Sequence, residues 1–137
     1  MSPDKTTVLI VDDEPNVLLT LHDGLIAQGY NVLKASSGEE ALRVARAHPG
    51  PIGLLLIDVV MPGQSGPQVA AQLRETRPDA KLLYMSGFSN SVVVNHGLQL
   101  GDPLIVKPFT LQALGDKVQA LLAYRSPFSR PPKTPGR

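Results

Sequence analysis

A chain of 137 residues carrying 13 basic and 12 acidic side chains is long enough to bury one core and too evenly charged to advertise a polyanionic partner. All 12 acids precede Arg125, whereas Arg125, Arg130, Lys133 and Arg137 follow with none, so the body is net acidic and the basic tail is too sparse for a nucleic-acid footprint. The absence of cysteine excludes disulfides, thiolate zinc sites and a cysteine nucleophile. No apolar run approaches the ~18 residues of a membrane span, and Met1–Lys5 lacks a signal-peptide core. A soluble cytoplasmic domain with neither a membrane nor a nucleic-acid partner is expected.

Taken in order, Thr7–Val11 reads as a first strand. Pro15 then stands where a helix tolerates proline, and Val17, Leu18, Leu21, Leu25 and Ile26 mark an apolar face that ends near Gln28-Gly29. Asn31–Ala35 is a second strand. Ser36-Ser37 caps a helix over Glu39–Ala47, with Glu39 and Glu40 in the first turn where the helix dipole favours acids. His48-Pro49-Gly50-Pro51 ends it. Ile52–Ile57 is apolar apart from Gly53, the pattern of a central strand covered on both faces.

Met61–Pro67 is a loop, and a helix from about Gln68 to Arg77 is stopped by Pro78. Lys81–Met85 is the fourth strand. Asn90–Leu100 alternates as a helix should, but its three valines, Asn95 and Gly97 make it the least stable one. Leu104–Val106 is a short last strand, which Pro103 places at an edge. Thr110 caps a final helix carrying Leu111, Leu114, Val118, Leu121 and Leu122. Residues 125–137 are proline-rich without apolar periodicity and are expected to be disordered. Five strands alternating with five helices predict an α/β, doubly wound parallel sheet of order 2-1-3-4-5, the flavodoxin-like three-layer sandwich.

The chemistry lies where the strands stop. Asp12-Asp13, Asp58, Ser86 and Lys107 each follow an apolar run directly. In an open parallel sheet, ligands bind beyond the carboxyl ends of the strands, so this topology gathers three carboxylates, a hydroxyl and an ammonium into one pocket. Singly, each has an ordinary reading: a helix cap for Asp12-Asp13-Glu14, a turn acid for Asp58, a solvated charge for Lys107, a strand-to-loop junction for Ser86-Gly87. Carboxylates packed together repel, and a site that keeps them ionised wants a divalent cation. Oxygen-only ligands favour Mg2+, with Mn2+ an alternative. His22, His48 and His96 lack metal-ligand spacing and read as solvent-facing. Tyr30, Tyr84 and Phe109 read as packing residues.

Asp12-Asp13, Asp58 followed by Val59-Val60-Met61-Pro62-Gly63, Ser86-Gly87 and Lys107-Pro108-Phe109 together resemble the receiver domain of two-component response regulators, over about Thr7 to Leu122. The resemblance implies a receiver domain over residues 1–124 and a phosphoacceptor role for Asp58, supplied by a histidine kinase or a histidine phosphotransfer protein. It further implies that Asp13, Asp58 and the Val60 backbone carbonyl ligate the metal, with Asp12 acting through a bound water. Ser86, Lys107 and the backbone N–H groups of Val60 and Gly87 would hold the phosphoryl oxygens. A downstream protein would read the face built from the fourth helix, last strand and last helix.

The chain departs from the family in two places. Receivers usually carry Tyr or Phe three residues before the lysine; here that position is Leu104, and Phe88 is the candidate replacement for the moving aromatic. Val60 and Phe88 also offer no side-chain group to orient a hydrolytic water, which predicts a long-lived phosphoryl-aspartate. The stretch from Met85 to Thr110 is most similar to terminal receivers of hybrid histidine kinases, so the sequence fits either a free-standing regulator or such a fragment. Two other classes compete. A metal-dependent phosphatase would want a general acid two residues after Asp58, where Val60 stands. A phosphate-independent interaction module would have no use for the complete acidic pocket.

Overall fold

The structure, a computed structural model, describes residues 4–87, 97–99 and 101–124. Five parallel strands form one sheet in the order β2-β1-β3-β4-β5. They are β1 (Thr7–Val11), β2 (Asn31–Ala35), β3 (Leu54–Asp58), β4 (Lys81–Ser86) and β5 (Leu104–Val106). Among the described residues the helices are α1 (Pro15–Ala27), α2 (Gly38–Ala47), α3 (Gly66–Thr76) and α4 (Leu111–Ala123). The helix expected over Asn90–Leu100 and the tail from Arg125 lie largely or wholly outside the described residues.

The alternation of strand side chains builds two cores. Val8, Ile10, Leu54 and Leu56 meet Leu18, Leu21 and Leu25 of α1 and Leu114 and Val118 of α4 on one face. Leu9, Val11, Leu55 and Ile57 meet Ala41 and Ala45 of α2 and Val69, Ala70 and Leu73 of α3 on the other. β1 and β3 are buried at every residue, which is why both read as unbroken apolar runs.

Local chemistry sets the helix ends. Ser37 caps α2 by accepting the Glu40 N–H, and Thr110 caps α4 by accepting the Ala113 N–H. Gly29, at φ +100°, takes the left-handed conformation that ends α1. Helix α3 starts two residues before the expected Gln68, because Ser65 and Gln68 form a reciprocal capping box. β3 begins at Leu54 rather than Ile52, although the Gly53 N–H still donates to the Thr7 carbonyl. Pro103 precedes the edge strand as expected, and its carbonyl accepts the Tyr84 N–H. Tyr84 is buried, Tyr30 and Phe109 pack against the α1/α4 core, and His22 and His48 are half-buried, while His96 is outside the described residues.

Candidate functional site

Parallel strands end at one edge, and the register sets who stands there. Val11 pairs with Ile57 and Asp58 with Met85, while Ser86 pairs with Val106. Asp12, Asp58, Ser86 and Lys107 therefore come to one rim without any long loop. Asp12 and Asp58 continue the alternation of Ile10 and Leu56, so both carboxylates leave the sheet on the α1/α4 side.

Lys107 joins the acids. Its Nζ donates to Asp12 Oδ2 at 3.1 Å and to Asp58 Oδ2 at 3.0 Å. The remaining oxygens are held by backbone: the Glu14 N–H donates to Asp12 Oδ1 at 2.9 Å, and the Val60 N–H donates to Asp58 Oδ1 at 3.1 Å. The helix-cap reading of Asp12-Asp13-Glu14 does not hold: Glu14 is the N-cap of α1 without a side-chain cap and no acid lies in the first turn, while Asp12 serves the Glu14 N–H ahead of the helix with one oxygen and the lysine with the other. Asp12 is fully buried and Asp58 is 6% exposed, whereas Asp13 is exposed. Carboxylate oxygens of Asp12, Asp13 and Asp58 lie within 4.8 Å of one another.

Burial pushes the Asp58 carboxyl above the usual carboxylate range, against the pull of the Lys107 hydrogen bond and charge and of the Val60 N–H. Burial would lower the Lys107 ammonium, but its contacts with Asp58 and Asp12 outweigh this and hold it above the ordinary lysine value. Among the described residues Lys107 pairs with two of the three clustered carboxylates, Asp12 and Asp58, and leaves an excess of negative charge that a divalent cation would balance. The donors are all oxygen, which fits a hard cation such as magnesium.

The structure brings Asp12, Asp13, Asp58 and Lys107 together, and it puts Ser86 and Gly87 at the end of the neighbouring strand. Ser86 is buried, and its carbonyl accepts the Lys107 N–H at 2.8 Å. Leu104 is half-buried and pairs with Tyr84 of β4. Phe88 lies outside the described residues. The Ser65–Gln68 box is absent from the sequence reading, although its Ser-x-x-Gln spacing is visible there. So is the bridge pairing Val60 with Ser65, which closes the loop after Asp58 and depends on proximity no local pattern encodes.

The comparisons with known proteins agree with this geometry. The profile of the response regulator receiver domain matches residues 8–119. Over 117 residues the chain is 35% identical to the sensor kinase CckA of Brucella abortus (strain 2308), covering 85% of this chain and 12% of that protein. It is 34% identical to the alkaline phosphatase synthesis transcriptional regulatory protein PhoP of Bacillus subtilis (strain 168), covering 90% of this chain and 51% of PhoP. The chain thus spans at most about half the length of these relatives. Among solved structures it is similar to the receiver domain of the hybrid histidine kinase CckA, with TM-score 0.72 and 34% identity over 85% of this chain and 98% of that one. A response regulator receiver protein from Sinorhizobium medicae WSM419 gives TM-score 0.75 and 30% identity over 88% and 97%. Sheet order, acidic rim and sequence agree along nearly the whole described chain, and it belongs to the response regulator receiver domain family of two-component signalling.

Proposed function

We propose that Asp58 accepts a phosphoryl group from a phosphohistidine on a histidine kinase or histidine phosphotransfer protein. One observation carries this reading: a buried carboxylate at the end of a central strand, fixed on one oxygen by the Val60 N–H and on the other by Lys107. Such a carboxylate cannot turn away from an incoming electrophile. An Asp58 oxygen attacks phosphorus in line, the P–N bond to the donor imidazole breaks, and the imidazole leaves with the bond's electrons and takes up a proton.

Asp13, Asp58 and the Val60 carbonyl would hold Mg2+, or Mn2+ in its place, with Asp12 reached through a water. When bound, such a cation would supply charge neutralisation for the acids and for the phosphoryl oxygens. Lys107 then exchanges one of its carboxylate contacts for a phosphoryl oxygen. Ser86 and the N–H groups of Val60 and Gly87 receive the others, so charge developing on phosphorus meets donors already in place. The output face would include β5, whose Val106 is 57% exposed, together with α4. Residues 1–124 would act as the receiver unit, with 125–137 as an appended tail, whether the unit works alone or within a hybrid kinase.

The test is incubation with acetyl phosphate and Mg2+ followed by intact-mass measurement. The parent should gain one phosphoryl group and Asp58→Asn should gain none. If Asp58→Asn still takes up the mark, the acceptor lies elsewhere.

A further inference from the structure

We propose that Gly66 is a positioning residue for Asp58, holding the acceptor carboxylate and the Val60 peptide in place from the opposite side of the sheet. The inference rests on the reading of Asp58 given above.

Gly66 opens α3, and its φ is not positive, so no left-handed turn calls for glycine there. Helix propensity does not call for glycine either, since alanine is the better helix former. What demands glycine is space. A Cβ on Gly66 would fall onto the Asp58 carbonyl oxygen, 2.8 Å from Val59 Cα and 3.0 Å from the Asp58 carbonyl carbon. These atoms are all backbone, so none can swing aside. Among the described glycines, the other comparably tight approaches meet side chains: Leu111 at Gly24, Gln64 and Val69 at Gly38, Thr6 at Gly53, Gln28 at Gly115.

The two peptides that meet at Val59, the first of which Gly66 touches, are held from three directions. The Val59 N–H donates to the Met85 carbonyl of β4 at 2.9 Å, and the Val59 carbonyl accepts the Gly66 N–H at 2.7 Å. The Val60 N–H closes onto Asp58 Oδ1 at 3.1 Å. A side chain at position 66 must therefore move either α3 or the 58–59 peptide. The second movement turns the Asp58 carboxylate and the Val60 carbonyl together, and both belong to the proposed cation site. Outer contacts that orient metal ligands typically change affinity about 10- to 100-fold when lost.

The experiment is a double-mutant cycle read by Mn2+ affinity, from electron paramagnetic resonance of the free ion, with circular dichroism as the check on folding. Gly66→Ala should weaken Mn2+ binding about tenfold or more in the parent and by less than twofold in an Asp58→Asn background. Gly115→Ala, where only the Gln28 side chain must give way, should leave affinity unchanged. Equal losses in both backgrounds, or unchanged affinity in Gly66→Ala, overturn the role of Gly66 and leave the Asp58 reading standing. If Asp58→Asn binds Mn2+ like the parent, Asp58 is not a cation ligand and the role of Gly66 falls with it, while the acceptor reading is decided by the phosphorylation test. Should Gly66→Ala not fold, the parent still decides: on Mg2+ titration the Gly66 and Val60 amide resonances should shift with one midpoint, and a Gly66 resonance that stays still defeats the proposal.

Discussion

β1 and β3 are buried at every position, whereas β5 is three residues long and only its middle residue, Ile105, is buried. The acids stand at the ends of the first pair; the lysine follows the second and must reach across to them. One half of the pocket is therefore fixed by the deepest part of the core, while the other hangs from the edge of the sheet. A phosphoacceptor gains from that division. The half that performs the chemistry has to be rigid, and the half that reports it has to be able to move. The substitutions below test whether the two halves are as unequal as their burial suggests.

The largest effect is expected at Asp58. Asp58→Asn should abolish phosphorylation by small donors, and without divalent cations it should also raise the unfolding midpoint. The sign follows from burial. A carboxyl held above its unfolded value is most favourable to folding below about pH 4, and that advantage is lost as pH rises through the folded value. At neutral pH the parent thus carries an ionised group in a place that disfavours it, while the amide does not. The gap between variant and parent, measured by thermal unfolding across pH 4–7, should narrow on acidification. A variant less stable than the parent at pH 7 would show that the Lys107 contact outweighs burial.

Core truncations weigh the halves directly. Leu56→Ala, at a fully buried β3 position, should destabilise by about 3 kcal/mol in urea unfolding. Leu104→Ala, at a half-buried β5 position, should lose about 1 kcal/mol. Comparable losses would erase the distinction between a rigid and a yielding half. On the chemical side, Val60 carries no polar side chain that could orient water at the proposed acceptor. The parent's phosphoryl-aspartate should persist for minutes or longer, and Val60→Asn should shorten its life about tenfold or more. A parent lifetime of seconds would contradict this.

Much of the acidic half was legible because its signals are local. An apolar run followed at once by Asp states both the strand and the site, and the topology rule supplies the rest. Gly29, Ser37 and Thr110 were readable for the same reason, since a cap is a matter of a few neighbouring residues. What escaped depends on contacts between distant positions. Arg77 donates to the carbonyls of Gly50 at 2.7 Å, Ala45 at 2.8 Å and His48 at 2.6 Å, and so stitches the end of α3 to the end of α2. In the sequence it was only the last residue before a proline. Gly66 likewise looked like one loop glycine among several, because its constraint is the Asp58 backbone eight residues earlier. The Ser65–Gln68 box is different: its Ser-x-x-Gln spacing is local, yet Gly66 and Pro67 read as the end of a loop rather than as the first turn of α3.

The smallest expected effect probes the seam between the two halves. Tyr84 is buried on β4 opposite Leu104, and burial together with the nearby Asp102 pushes its phenol up to about 12, against the pull of Arg74. In the unfolded chain the phenol titrates near ~10. The folded state therefore holds its proton through the window in which the unfolded state gives it up. The stability this confers is complete below about pH 10 and is lost as pH rises through about 12. Lys107, also raised, loses its contribution in the same alkaline region, so the informative quantity is the difference between parent and Tyr84→Phe. In urea unfolding at pH 9–11.5 the parent's stability should fall more steeply than the variant's. Parallel curves would mean that water reaches the ring, and that the seam between β4 and β5 is already open at rest.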